Sequence, residues 1–319
     1  MSPNVRFLLR RTPAAMLTVV LVSIVTFLAT NVVPSDPARL ALGRAATQAQ
    51  LVAYRNEQGL DKPVVERYFS WIGGFIQGNW GRSTLNRVDV RSEVLPRLWR
   101  SMIIAVLSML IAVPLAFLFG TWLGRRTGTR ADVGLSLGLL LVNALPEFVI
   151  GLLLLVVLAV GLEILPVDST GAVFASGAEQ IKAYILPILT LTCVVTPYIT
   201  RMVRVHVREA LGQGWVRAAI LRGVGRRRLM WRHIVPNASL PVVNVVALNM
   251  TELLGGLVVV EVVFAFPGVG QLLVASVLGK DIPTVQAIAL VSAVGLVLIN
   301  LLADLLVIAL NPRLRVREE

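Results

Sequence analysis

Charge and chemically reactive side chains are scarce in this chain of 319 residues. Charged residues make up 15% of it, and it holds one cysteine, Cys193, two histidines, His206 and His233, and only Lys62, Lys182 and Lys280 among lysines. A single cysteine excludes an intrachain disulfide and a cysteine metal cluster, and its place in an apolar run reads as a small buried hydrophobe. Two histidines on either side of a basic loop make no zinc-protease or Cys/His pattern, so no metal site is expected, and no Gly-x-Ser-x-Gly nucleophile turn occurs. The pairs Gly223 with Gly225 and Gly268 with Gly270 lack the third glycine of a dinucleotide loop, where Arg228 and Leu273 stand. Gly279-Lys280 ends like a phosphate loop, but Asp281 follows where Ser or Thr is needed and Val274 occupies the first glycine position. No catalytic residue, bound cofactor or unaided ATP hydrolysis is expected of this chain.

What the chain has in abundance is apolar surface. Hydrophobic residues make up 56% of it and its mean hydropathy is +0.78, outside the range of soluble globular domains. A bilayer core needs about 20 apolar residues per helix, and six stretches qualify: approximately Ala14 to Val33, Ser101 to Leu123, Val133 to Gly161, Ala183 to Met202, Ser239 to Phe264 and Val285 to Leu310. Backbone groups cannot go unpaired in lipid, so each is expected to be helical, giving an all-α polytopic membrane protein with six transmembrane helices. The first stretch, preceded by Arg6, Arg10 and Arg11, is longer than many signal-peptide cores and has no clear small-x-small site after it, so an uncleaved anchor is expected.

The net charge of +12 suits anionic lipid and the positive-inside rule rather than nucleic acid. Arg6, Arg10 and Arg11, then Arg125, Arg126 and Arg130, then the arginines from Arg201 to Arg232, and finally Arg313, Arg315 and Arg317 all fall on one side, the expected cytoplasm. The opposite short loops carry only Lys182 and Lys280. Both termini are therefore expected inside. The predicted organisation is a cytoplasmic N-terminus with first span over residues 1–33, an extracytoplasmic helical segment over 34–100, a five-helix core over 101–310 with a cytoplasmic loop at 203–236, and a tail over 311–319. Within the outer segment, helical spacing is expected over Thr47 to Gln58 and Pro63 to Gly73, with Val64, Tyr68, Phe69 and Ile72 on one side of the second. A short helix is expected over Gln271 to Leu278.

Polar groups inside spans are costly and mark either a path or interhelical contacts. Span five holds Asn244, Asn249, Glu252 and Glu261, and span six holds Asn300 and Asp304. Asn249, Glu252 and Gly256 recur at i, i+3 and i+7, and Asn300 and Asp304 at i and i+4, so each set is expected on one helix face. Glu147, Asn249, Glu252, Asn300 and Asp304 are the candidates for a translocation path, with helix packing as the other reading; for Glu147, after Pro146, a kink is the firmer expectation.

The stretch WVRAAILRGVGRRRLMWRHIVPN, Trp215 to Asn237, places Arg217, Arg222, Arg226 to Arg228 and Arg232 between apolar runs. Val216 and Ile220 recur at helical spacing beside Ala219, Gly223 can end a short helix, and Leu229, Met230, His233 and Ile234 form a second face before Pro236. Helix, glycine turn and helix are expected. Arg217-Ala218-Ala219, three residues, Gly223, nine residues and His233-Ile234-Val235-Pro236 resemble the signature loop of binding-protein-dependent ABC importer permeases. Arginine stands where that motif has glutamate, as in the dipeptide and oligopeptide branch, whose V-R-x-A-x-x-x-G and H-x-x-x-N-A-x-x-P are matched by Val216 to Gly223 and by His233, Asn237, Ala238 and Pro241. PSDPA after span one, GLDKP at Gly59, GNWGRS at Gly78, LPEF at Leu145, VVVEVVFAFPGVGQLL at Val258 and NPRLR at Asn311 are similar landmarks, although Asn311 replaces a usual aspartate.

The resemblance implies a type I ABC importer permease architecture in a bacterial inner membrane. Val216, Arg217, Ala218, Ala219, Ile220, Arg222, Gly223, His233 and Pro236 would couple to separate ATPase subunits. It further implies a second homologous permease, two cytoplasmic ATPase subunits or domains that bind ATP and Mg, and an extracytoplasmic solute-binding protein. Short peptides are the expected cargo, with nickel chelates, glutathione or another small solute as alternatives. A proton-coupled secondary transporter working through Glu252, Glu261 or Asp304 is the competing class.

Overall fold

The computed structural model of the chain describes residues 3–31, 46–58 and 62–310. PSDPA, most of GLDKP, NPRLR and the terminal arginines Arg313, Arg315 and Arg317 lie outside the described residues, as do the side chains of Arg6, Arg10, Arg11 and Asp304. In chain order the helices are α1 (Pro3–Asn31), α2 (Gln48–Gln58), α3 (Val64–Ile76), α4 (Val90–Arg125), α5 (Arg130–Ala144), α6 (Glu147–Leu154), α7 (Ser169–Ala172), α8 (Ala178–Leu211), α9 (Gly214–Leu221), α10 (Arg226–Leu229), α11 (Val235–Val263), α12 (Val269–Leu278) and α13 (Ile282–Leu310). Two π-helical segments, Leu155–Gly161 and Met230–Ile234, extend α6 and join α10 to α11. Among the described residues the only bridge between extended segments is Arg82 with Asp89.

Among the described residues five helices are long and apolar enough to cross a membrane, namely α1, α4, α8, α11 and α13, and the pair α5 with α6 completes six if it counts as one bent span. The third span is thus not one straight helix. Its halves meet at 103°, because Leu145 precedes Pro146 and takes an extended backbone (φ −82, ψ 134), and Pro146 itself sits at ψ 144 before Glu147 opens α6. The expected kink is there and is much sharper than a proline bend within a continuous helix.

The chain divides into two compact units. One holds residues 1–100 with 268–298. In it Phe27 of α1 meets Tyr68 and Trp71 of α3, Phe75 stacks on Trp80 at 4.7 Å between centroids, and the Ser23 and Tyr68 hydroxyls hydrogen-bond at 2.7 Å. The packed side of α3 therefore carries Tyr68, Trp71 and Phe75, while Val64 and Phe69, expected beside Tyr68, are exposed. Asp281 closes this unit. Its carboxylate accepts from Ser83 Oγ (2.6 Å), the Thr84 amide (2.9 Å), Thr84 Oγ1 (3.1 Å) and Thr284 Oγ1 (2.7 Å), so the residue that spoils a phosphate loop pins the GNWGRS turn to α13.

The other unit holds residues 101–267 with 299–319 and is built around α8. Pro187 has no N–H to give the Ala183 carbonyl, and Ser169 Oγ donates to that carbonyl instead (3.2 Å). Ser108 Oγ donates to Ile188 O and Thr192 Oγ1 to Ser108 O, which ties α4 to α8 through small polar residues as membrane helices do. Gly120 and Gly124 of α4 lie against Val203 and Val207 of α8 so closely that an added Cβ at Gly120 would meet Val203 Cβ at 2.6 Å and the Thr200 carbonyl at 2.8 Å. The FAFP landmark is core: Phe264 and Phe266 are fully buried, Phe264 packs on Gly151 of α6, and Phe266 meets Tyr184 edge-on at 5.0 Å.

Candidate functional site

The basic segment folds as a helix, a glycine turn and a second helix. Residue Gly223 has φ +79, a conformation that L side chains rarely adopt, and it lets the Gly223 and Val224 amides reach back to the carbonyls of Ile220 (2.9 Å) and Ala219 (3.1 Å). Val216 is 2% exposed in the core of its unit and Ala219 packs against that core, whereas Ile220 is 54% and Leu221 88% exposed. The expected pairing of Val216 with Ile220 on one face therefore does not hold, since α9 buries Val216 and Ala219, spaced i and i+3, and turns Ile220 outward. Arg217 and Arg222 are exposed, and Ala218 is half-buried. The outer surface of α9 thus combines two bare aliphatic side chains, two guanidiniums and small residues.

The return helix departs from expectation at His233. Leu229, Met230 and Ile234 are buried and His233 is exposed. The segment Met230–Ile234 is π-helical, with bonds from i to i+5, so residues lag behind α-helical spacing and Ile234 takes the inward position. The wider turn also sits just before Pro236, which has no N–H to donate within the helix. Asn237 Nδ2 donates to His233 O at 2.7 Å, using one of the two polar residues of the His-x-x-x-Asn pattern to stitch the turn.

The candidate path residues are not brought together as one set. On α11, Asn249 is buried and donates to the Val245 carbonyl at 2.8 Å, and Gly256 is buried beneath the Glu147 carboxylate of α6. Glu252 is exposed, on a stripe with Pro241, Asn244, Leu248, Gly255 and Val262. Asn249 and Glu252 lie about 60° apart around α11, and the packing boundary runs between them, leaving Asn249 buried and Glu252 exposed. Glu261 is fully buried and accepts from Ser101 Oγ, an interhelical contact. Asn300 is half-buried on α13, and Asp304 has its side chain outside those described.

Residues 112–316 match the family described as "Binding-protein-dependent transport system inner membrane component", and residues 4–87 match "Binding-prot-dependent transport system membrane comp, N-term". The chain belongs to this family of ABC importer permeases. It is 35% identical over 317 residues to the glutathione transport system permease protein GsiC of Salmonella paratyphi A, covering 97% of this chain and 98% of that one. The GsiC protein of Escherichia coli K12 is 33% identical with the same coverage. A probable peptide ABC transporter permease protein, y4tP, of Sinorhizobium fredii is 30% identical over 97% of this chain and 99% of that one. The permease is thus a multi-pass inner-membrane subunit of an ABC transporter, and not the proton-coupled secondary transporter considered from its intramembrane acids. Permeases of this family work with an ATPase and a substrate-binding protein.

Two features of the permease escaped the sequence reading. Asp132, buried in the first turn of α5, accepts from Arg204 Nε (2.8 Å) and Nη2 (2.7 Å) of α8 and from the Gly128 amide (2.9 Å). This bidentate pair fixes the start of the bent span to the helix that leads into α9. Nothing in the spacing of residues 132 and 204 signals it. The close approach of α4 to α8 did have a signal, the Gly-x-x-x-Gly of Gly120 to Gly124.

Proposed function

We propose that the permease forms half of the translocation path of an ATP-driven importer and that α9 is the element through which ATPase subunits move it. The observation that carries this reading is the division of α9: Val216 is sunk into the permease core while Ile220, Leu221, Arg217 and Arg222 face away from it. Such a helix transmits force only if something grips its outer side. An ATPase cleft offering apolar contact for Ile220 and acidic groups for the arginines fits that surface. ATP and Mg bind the ATPases, and their closure moves α9. Arg204, on the helix just before α9, carries the motion to α5 through Asp132. A second homologous permease completes the pore, with the stripe of Asn244, Glu252 and Gly255 on α11 as the candidate lining. Charge places α9 and both termini in the cytoplasm and the helical segment 34–100 outside, where a solute-binding protein delivers cargo.

Short peptides are the proposed cargo. Glutathione, carried by name in the GsiC relatives, is itself a tripeptide, so the two substrate readings share a class. The test is uptake in proteoliposomes holding the complete importer. Replacing both Ile220 and Leu221 with glutamate puts two charges on the docking face, away from the core that Val216 and Ala219 pack against, and should lower uptake at least about tenfold, equivalent to about 1.4 kcal/mol, while the subunit remains in the membrane. Uptake at the unmodified rate would contradict the assignment of α9.

A further inference from the structure

Transport does not account for a cleft of about 200 Å³ between α5 and α8, whose wall includes Leu123, Ser136, Leu139, Leu140, Thr200, Arg201 and Arg204. Polarity along it is graded. The Asp132–Arg204 pair stands at one end, Ser136 and Arg201 lie about one turn further along the two helices, and Leu139 and Leu140 follow beyond Ser136. One group in the wall lacks the partner its setting calls for. Arg201 makes no ion pair among the described residues and lies over its own neighbour Tyr198, 5.4 Å from the ring centroid. Arg201 stands exposed at the expected cytoplasmic end of its span, at the level of the lipid headgroups, where a guanidinium is matched by an anion.

We propose that this cleft binds one anionic phospholipid, with its phosphate at Arg201 and the start of an acyl chain along Leu139 and Leu140. The charge balance selects the ligand. Arg204 is neutralised by Asp132, with its Nε and Nη2 engaged and Nη1 left to donate, so the cleft presents one net positive charge from Arg201. That matches the single net charge of a phospholipid such as phosphatidylglycerol, whereas the cation of a choline headgroup would cancel its own phosphate. The leucines select the source: free phosphate would leave an apolar wall to water, whereas an amphiphile covers it. The occupant would rest against Ser136 and Arg204, next to the Asp132–Arg204 clamp, and so would brace the start of the bent span.

The experiment is to purify the full chain from membranes in mild detergent and quantify retained phospholipid by native mass spectrometry, then repeat after exchange into phosphatidylglycerol or phosphatidylcholine. Phosphatidylglycerol should stay bound and phosphatidylcholine should not. Arg201→Gln should cut retention roughly tenfold, as expected for loss of one charge-assisted contact. Leu139→Trp should do the same by filling the cleft with every arginine intact, so a folding defect in one variant does not decide the outcome. Arg126→Gln, a charge removed outside the cleft, should retain lipid as the parent does. Equal retention of phosphatidylcholine, parent-level retention in both cleft variants, or thermal protection by inorganic phosphate equal to that by phosphatidylglycerol would each overturn the proposal.

Discussion

Asp132 and Arg204 set the clearest expectation at the scale of single residues. Asp132 is 2% exposed and Arg204 26%, so the pair is shielded on one side and wet on the other. Asp132→Asn keeps the shape but removes the charge, and loss of the bidentate bond should destabilise the protein by about 1–3 kcal/mol, read as a lower Tm in detergent. An unchanged Tm would mean that solvent already satisfies Arg204. Gly223 is a second test. At φ +79 a Cβ is strained whatever the space around it, so Gly223→Ala should cost about 1 kcal/mol and weaken coupling more than it weakens folding, measured as a fall in uptake per ATP hydrolysed. The turn at Gly223 was legible because glycine after a helical run has one common use. The inward choice between Val216 and Ile220 was not, because both are apolar and only the neighbouring core decides which of them it covers.

Helices show where hydropathy stops being a guide. The apolar stretch expected from Ala183 to Met202 lies inside α8, which runs from Ala178 to Leu211, since a helix continues through charged turns that a hydropathy window rejects. The same holds for α4, which begins at Val90 and not at Ser101. Prolines were legible in type and not in degree: Pro146 announces an interruption, but the 103° angle between α5 and α6 depends on the extended backbone at Leu145. The π-helical turn at Met230–Ile234 had no signal in spacing, and it is what turns His233 outward. Packing of α4 on α8 yields a direct test. In Gly120→Ala the new methyl would meet the Thr200 carbonyl, a backbone atom with no rotamer to escape into. The substitution should force the helices apart at about 1–3 kcal/mol, seen as a reduced Tm, while alanine at Gly134, which has open space around it, should be nearly neutral.

For the whole molecule, membrane class and family were legible from long apolar runs and ordered landmarks, and the structure gives those landmarks physical work. The FAFP residues fill a core, GNWGRS is held by Asp281, and LPEF is the break between α5 and α6. The intramembrane acids were harder to read, because a carboxylate in a span has the same sequence appearance whether it packs, as Glu261 does on Ser101, or faces outward, as Glu252 does. Transport in the proposed mechanism depends on an ATPase subunit gripping α9. Ile220→Cys, in a chain whose native Cys193 has been replaced by serine, offers a reactive group on the exposed side of α9, and cross-linking it within the intact importer tests for that grip. A covalent adduct with the ATPase is expected, with a yield that changes when ATP is added. No adduct from Ile220→Cys, with efficient adducts from a cysteine placed on the opposite end of the permease, would contradict it.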